Sequence, residues 1–269
     1  MADVVQLGPF VIASDRLLTI LAIWLFLAFA WWQARRHPEL AGRAPWIAVL
    51  VGVVVARAAF VLQNRTAFAE SPLDALYLWQ SGFSPLLGIG AAAAVVALFW
   101  KGPGRLITLG VLLAIGSAAL LTLGVLHRDA VRPLPGGLVA TDMTGQSMAL
   151  QDLAGRPFVI NLWATWCPPC RREMPMLAQV AAASPKVPIL LVNQGEDMPA
   201  VRAFLTKQKL PDANILLDRT GAFGTAINSP ALPTTIFVDG TGKIRRVHAG
   251  EISRATLLAG IQDIEESSE

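Results

Sequence analysis

Only two cysteines occur among the 269 residues. That number excludes a disulfide framework of the kind that staples small secreted domains, and it excludes a closed four-thiolate zinc site. It leaves room for one bridge. Charge is scarce as well: charged residues make up 15 % of the chain and hydrophobic residues 54 %, a balance low in charge for a water-soluble protein. The formal net charge of +3 comes without a dense basic run, which argues against a nucleic-acid partner. The first apolar stretch has no basic leader and no small-residue cleavage site, so a cleaved signal peptide is not expected.

The hydrophobic excess lies before Leu126. Four stretches have the composition of membrane spans, about Leu17–Trp32, Ala44–Leu62, Ser84–Trp100 and Leu106–Leu126. A span needs roughly 20 apolar residues, with tilt and snorkelling covering small deficits. Trp31, Trp32, Trp46, Trp79 and Trp100 fall at their ends, where an aromatic belt meets the membrane–water interface. A soluble helical core is disfavoured because almost no polar face is left to meet water. The first connection carries Arg35, Arg36 and Arg43 and the third Lys101 and Arg105, whereas the second has Arg65 against Glu70 and Asp74. The positive-inside rule puts connections one and three in the cytoplasm and everything after Leu126 outside it. Arg57 falls inside the second span. An intramembrane arginine is costly. It either binds a lipid headgroup or partner, or pairs internally with Asp74 or Asp15 and holds helices together. No cysteine lies in any span, so this chain alone cannot relay thiol electrons across the bilayer. Reducing equivalents must come from a separate membrane donor of the thiol-relay type.

Three segments, "LGPFVIASDR", "VVARAAFVLQN" and "PLDALYLWQSGFSPLLG", resemble the first part of prolipoprotein diacylglyceryl transferase over about Leu7 to Ala94. Arg57 falls on that family's Gly-Ala-Arg segment. The departures are chemical. Pro85, Leu86, Leu87 and Gly88 stand where the family has a His-Gly-Gly stretch, so Leu86 replaces its histidine, and the later Arg-, Asn- and Glu-rich signature is missing. Acyl transfer to a cysteine needs groups that activate the nucleophile. The resemblance therefore implies an anchor derived from that family, without its activity.

Composition shifts at His127, where "HRDAVRPLPGG" reads as a polar linker. The expected organisation is an anchor over 1–127, a linker over 128–136 and a second domain over 137–269. In the second half, Phe158–Leu162 and Val187–Val192 read as buried strands. Pro169 to about Ala183 and Pro199–Gln208 read as helices, the second with proline in its first turn. Thr235–Val238 and Lys243–His248 read as strands joined by Asp239-Gly240-Thr241-Gly242. Ile252–Ile264 closes as a helix capped near Ser253. This alternation implies a central sheet with helices on both faces.

Both cysteines sit in "NLWATWCPPC", between strand and helix. That places Cys167 at a helix amino terminus, where free N–H groups and the helix dipole favour a thiolate. Cys170 follows one turn later and is expected beneath it, placed to attack a mixed disulfide formed at Cys167. Pro168 and Pro169 stiffen the loop. Two core cysteines are a poor account of such a pair at a strand-to-helix switch. Copper(I) accepts two thiolates, but His248 is the only histidine in this half and Met174 and Met176 read as packing residues. No metal or other cofactor is expected beyond the redox-active pair itself. Arg171 and Arg172 read as surface charges, Trp163 as core, Trp166 as docking surface, and Gln194 and Glu196 as either the site's edge or plain loop.

"VINLWATWCPPCRREMPML", "LLVNQGED" and "ALPTTIFVDGTGKI" resemble, in order, the TlpA-like branch of the thioredoxin superfamily, from about Gly137 to Ile264. These are membrane-attached, extracytoplasmic thiol–disulfide oxidoreductases, kin to those serving cytochrome c maturation and cytochrome oxidase copper-site assembly. The resemblance implies a membrane α-helical bundle of about four helices followed by an α/β thioredoxin fold, in the bacterial inner membrane with the second domain in the periplasm. It implies a cis Leu232–Pro233 bond, with Leu232, Pro233 and Thr234 beside the cysteines in substrate binding. It implies that Glu173 relays a proton for Cys170, whereas from its position alone Glu173 also reads as a surface glutamate near a helix start, favoured by the dipole; Asn161 stands where general thioredoxins keep a buried aspartate. Clients would be proteins with disulfides or thiols.

Overall fold

The computed structural model describes residues 4–7, 10–36, 43–69, 72–78, 80, 82–100, 104–129, 131–153, 155–183 and 186–268. Glu70, Trp79 and Lys101, used above, lie outside the described residues. The chain divides into a helical unit, Ser14–Leu78 with Gly82–Leu126, and a unit built on His127–Glu269.

A short antiparallel pair, β1 (Val4–Leu7) and β2 (Phe10–Ala13), precedes the helices. The helical unit contains α1 (Ser14–Arg36), α2 (Ala44–Gln63), α3 (Arg65–Ala69), α4 (Pro85–Phe99) and α5 (Gly104–Asp129). Among the described residues three helices are long and apolar enough to cross a membrane: Ser14–Arg35, Ala44–Gln63 and Gly104–Val125. The sequence reading had four. The third candidate, α4, has 15 residues, about 22 Å at 1.5 Å per residue against about 30 Å of hydrocarbon. Its start is set by Pro85 at the first turn, and its end by Trp100, whose backbone is extended. Trp100 also departs from the belt expected of it. It is 3 % exposed and packs with Phe26, Ala30, Ala48, Val95 and Val96, whereas Trp31, Trp32 and Trp46 are exposed.

Small residues let α2 and α4 meet closely. A Cβ built on Gly88 would lie 2.8 Å from both the Gly52 carbonyl oxygen and the Ala56 Cβ. Such close approach is how apolar helices gain packing energy in lipid, where burial from water supplies none. Ser84 ties the same pair, its N–H donating to the Ala56 oxygen at 2.9 Å and its hydroxyl to Gln63 Oε1 at 2.7 Å. Arg57 settles into the bend between them. It donates to the carbonyl oxygens of Asp74 (2.7 Å), Gly82 (2.8 Å), Ala75 (3.0 Å) and Tyr77 (3.2 Å). Of the two uses the sequence left open, the internal one is seen, with backbone oxygens as the main partners. Gln33 and Thr108 join α1 to α5 through a 2.6 Å hydrogen bond.

The second unit is an eight-stranded sheet with helices on both faces. In chain order its elements are β3 (Arg132–Pro133), β4 (Val139–Asp142), β5 (Ser147–Ala149), β6 (Phe158–Trp163), α6 (Pro168–Ala183), β7 (Ile189–Gln194), α7 (Met198–Gln208), β8 (Ile215–Asp218), α8 (Ala222–Ala226), β9 (Thr234–Val238), β10 (Lys243–Ala249) and α9 (Arg254–Glu266). The strand order is β3-β10-β9-β6-β7-β8-β4-β5. Within the segment read as linker, α5 runs to Asp129 and Arg132–Pro133 pair with β10.

Strand β6 lies at the centre, parallel to β7 and antiparallel to β9. Its side chains alternate between faces, as strand geometry requires. Phe158, Ile160 and Leu162 enter one core with Phe223 and Ile227, and Val159 and Trp163 enter the other with Leu177, Phe204 and Leu257. Caps follow the sequence signals. Asp197 accepts from the Ala200 N–H at the start of α7, and Ser253 from the Thr256 N–H at the start of α9. Asp239 Oδ1 accepts from Thr241 and Lys243 N–H groups, and Gly242 at φ +77° completes the hairpin turn.

Replacing Gly88 by leucine is expected to lower the thermal midpoint of the detergent-solubilised chain, because backbone lies where the side chain must go. Gly90→Leu, on the same helix with nothing within 4 Å of its Cβ, is expected to leave the midpoint near wild type.

Candidate active site

The site forms where β6 gives way to α6. Cys167 ends the loop and Pro168 opens the helix. The two sulfurs are joined in a disulfide with Cα atoms 5.3 Å apart. The Cys170 N–H points at Cys167 Sγ, 3.3 Å away, so a backbone donor of the helix's first turn meets that sulfur. Cys170 is fully buried and Cys167 is 3 % exposed, while the neighbouring Trp166 is 66 % exposed. Pro168 is exposed and Pro169 half-buried.

The Leu232–Pro233 bond is cis. Leu232 is half-buried and packs against the cluster that holds both cysteines, and Pro233 and Thr234 are buried. The Pro233 oxygen accepts from the Gly250 N–H at 2.8 Å, and the Thr234 hydroxyl donates to the Ala231 oxygen at 2.7 Å. The structure thus gathers Cys167, Cys170 and Leu232 in one packed cluster.

Glu173 lies one turn beyond Cys170 and is 3 % exposed. Its Oε1 accepts from Asn161 Nδ2 and its Oε2 from the Ile252 N–H, both at 2.8 Å. Asn161 stands opposite Thr235 in the β6–β9 register and also donates to the Thr235 hydroxyl at 3.0 Å. Burial pushes the Glu173 carboxyl up to about 8, against the downward pull of those two hydrogen bonds. Desolvation favours the uncharged acid, and here it outweighs the donors that favour the carboxylate.

Some residues of the site were not legible as such. Arg172, read as a solvated charge, forms an ion pair with Glu251 at 2.6 Å, and Glu251 drew no attention at all. Those partners are 79 residues apart in sequence, so no spacing rule connects them. Glu196 proves to brace the loop before the cysteines. It accepts from the Thr165 N–H at 2.7 Å, from the Thr165 hydroxyl, and from Asn193 Nδ2 at 2.8 Å. Gln194 accepts from the Gly224 N–H at 3.3 Å. Trp163 is core, its ring tilted against that of Phe204 with centroids 5.5 Å apart, and Met174 is buried. Among the described residues no group of three or more His, Cys, Asp or Glu is placed to hold a metal ion.

Over 128 residues the chain is 33 % identical to the thiol-disulfide oxidoreductase ResA of Geobacillus kaustophilus, covering 47 % of this chain and 73 % of that one. The chain belongs to the thiol-disulfide oxidoreductase family. The Redoxin family model matches residues 129–261. The thiol:disulfide interchange protein DsbE of Escherichia coli is 33 % identical over 124 residues, 45 % of this chain and 66 % of that one. Among solved structures, a secreted Mycobacterium tuberculosis disulfide oxidoreductase is 29 % identical and covers 47 % of this chain and 95 % of its own, with a TM-score of 0.43. As an oxidoreductase, the chain carries its only two thiols at the strand-to-helix junction.

The buried acid of this oxidoreductase gives a pH signature with a definite sign. A carboxyl raised from 4.5 to about 8 leaves the folded state holding a proton that the unfolded chain has lost. The contribution of this one group is therefore full below about pH 4.5 and falls as pH rises toward 8, by on the order of 5 kcal/mol at about 1.4 kcal/mol per unit. Thermal unfolding of the oxidised chain across this range is expected to show the decline, and Glu173→Gln is expected to flatten it.

Proposed function

We propose that the protein is a membrane-held reductase of client disulfides, working on the periplasmic side of the bacterial inner membrane. The observation that carries the reading is the pairing of a sulfur at a helix amino terminus with a buried acid one turn past its partner. In the reduced enzyme, the Cys167 thiolate attacks a client disulfide. A Cys167–client S–S bond forms, the client's own S–S bond breaks, and one client thiolate leaves and takes a proton. Cys170 then attacks Cys167 Sγ, which forms the intramolecular disulfide and expels the second client thiolate. The client gains two electrons and two protons, and the enzyme ends oxidised. Glu173, in the ionised fraction that its raised affinity leaves near neutral pH, accepts the Cys170 proton. An acid whose affinity lies near that of a thiol exchanges protons with it at little cost. Trp166, Pro168, Pro169, Leu232, Pro233 and Thr234 form the docking rim, where the Leu232 backbone pairs with an extended client strand.

The names of the similar proteins, a thiol-disulfide oxidoreductase and a thiol:disulfide interchange protein, support this chemistry. Clients of the cytochrome c maturation or oxidase copper-site type follow from the TlpA-like motifs. A separate membrane donor re-reduces the pair, since no cysteine lies in the apolar stretches before Leu126. The helical unit serves as an anchor derived from the prolipoprotein transferase family, with Leu86 in place of the histidine that acyl transfer uses there.

Sidedness turns on α4. Three crossings would return the second unit to the cytoplasm, and four place it outside. We take α4 as the fourth crossing. Its small-residue contact with α2 sets it at the same depth, and thinning or tilt absorbs a deficit of a few ångströms at modest cost. The connections flanking this region, with Arg35, Arg36 and Arg43 on one side and Lys101 and Arg105 on the other, are both basic and both belong inside.

Alkaline phosphatase fused after Glu269 is expected to be active, and the same reporter inserted at residue 102 inactive. The reverse pattern sinks the periplasmic reading. In cells, Cys170→Ser is expected to accumulate a mixed disulfide between Cys167 and a client, which Cys167→Ser abolishes. The purified pair is expected to have a reduction potential below about −180 mV, whereas a value near −120 mV would mark a disulfide-forming oxidant instead.

A further inference from the structure

Two pairs of chain neighbours clasp each other beside the buried acid. Arg172 and Glu173 are adjacent on α6, and Glu251 and Ile252 are adjacent on the segment joining β10 to α9. Arg172 Nε and Nη2 both donate to Glu251 Oε2, at 2.9 and 2.6 Å. The Ile252 N–H donates to Glu173 Oε2 at 2.8 Å. The side chain of Arg172 is 54 % exposed and that of Glu251 is 6 % exposed. The ion pair therefore runs from the surface inward, and its acidic end lies against the segment that holds Glu173.

We infer that the Arg172–Glu251 ion pair sets the proton affinity of Glu173, and with it the pH range over which Cys170 resolves mixed disulfides. The second half of this inference rests on Glu173 being the proton acceptor. Charges in a poorly hydrated site are weakly screened, so each partner of the pair acts on Glu173 at short range. On top of burial, the larger effect, Glu251 favours the protonated acid and Arg172 favours the carboxylate. The remaining charged or titratable groups nearby are otherwise engaged. His248 on β10 has Nε2 3.3 Å from the Glu251 backbone oxygen. On α6, Arg171 lies over the Phe204 ring at 6.0 Å. Arg254, in the first turn of α9, donates to Gln179 at 2.7 Å. The neutral donors Asn161 and Ile252 complete the shell. The two cysteines titrate only when reduced.

Opposite signs make the inference testable. In the full-length chain in nanodiscs, the infrared band of the protonated Glu173 carboxyl is followed against pH and assigned by its loss in Glu173→Gln. Glu251→Gln keeps the shape, removes one negative charge and leaves the Arg172 charge unpaired. It is expected to lower the Glu173 midpoint, by about threefold or more in proton affinity for a half-unit shift. Arg172→Gln leaves Glu251 unneutralised and is expected to raise it. Glu251→Asp and Arg172→Lys, which keep the charges, are expected to stay near wild type. A helix merely loosened by loss of the clasp would move both glutamine variants the same way, and that result, or no shift in either, overturns the inference.

A second readout is the pH profile of Cys170-dependent release of a peptide held at Cys167 in a mixed disulfide. It is expected to move with the infrared midpoint in each variant. If the midpoints move apart while the release profile stays fixed, the pair tunes Glu173 but Glu173 does not serve Cys170. That outcome overturns the relay reading and the mechanistic half of this inference, and leaves the tuning itself standing.

Discussion

The carboxyl of Glu173, held between Asn161 of the central strand and the Ile252 N–H after β10, is the contact on which the placing of the redox helix against the sheet depends. It binds the redox helix to the sheet from inside, at a point where water is absent. An acid in that position strongly favours its neutral form. The same burial that disfavours the charge raises the proton affinity of the acid into the range of a thiol's. Without β6 buried on both faces, neither the strand-to-helix junction nor the acid behind it would have a fixed position.

The helical unit follows a different solvent logic. Its helices have little polar surface to cover, so contact comes from closeness. Gly52, Ala56 and Gly88 bring α2 and α4 to near backbone contact. The costly group, Arg57, is satisfied by carbonyl oxygens that the bend between those helices leaves open. A cation spent on backbone in this way closes a turn and has its donors occupied.

Much of the second unit was legible from residue pattern because its signals are local. An unbroken apolar run marks β6, proline at the first turn marks α7, and Asp239-Gly240-Thr241-Gly242 marks the β9–β10 hairpin. Strands β4, β5 and β8 and helix α8, of three to five residues each, are too short for a period to show. Their existence is decided by the sheet they complete. Among site residues, the cysteine pair speaks through spacing and context, and Glu173 through its place one turn later. Glu251 becomes meaningful only when folding brings α6 and the β10–α9 segment together. In the helical half, hydropathy located every apolar run and placed α4 to within one residue at each end, between Pro85 and the extended Trp100. What sets it apart from the other three is its 15-residue length, short for a span.

The unequal exposure of adjacent residues in the redox loop has a consequence for selectivity. Indole at Trp166 stands in solvent, while the sulfur beside it at Cys167 is almost covered. A broad, rigid partner surface would meet the ring first and stop short of the sulfur. The shape of the loop alone thus makes the ring, and not the sulfur, the first point that anything approaching from solvent would touch.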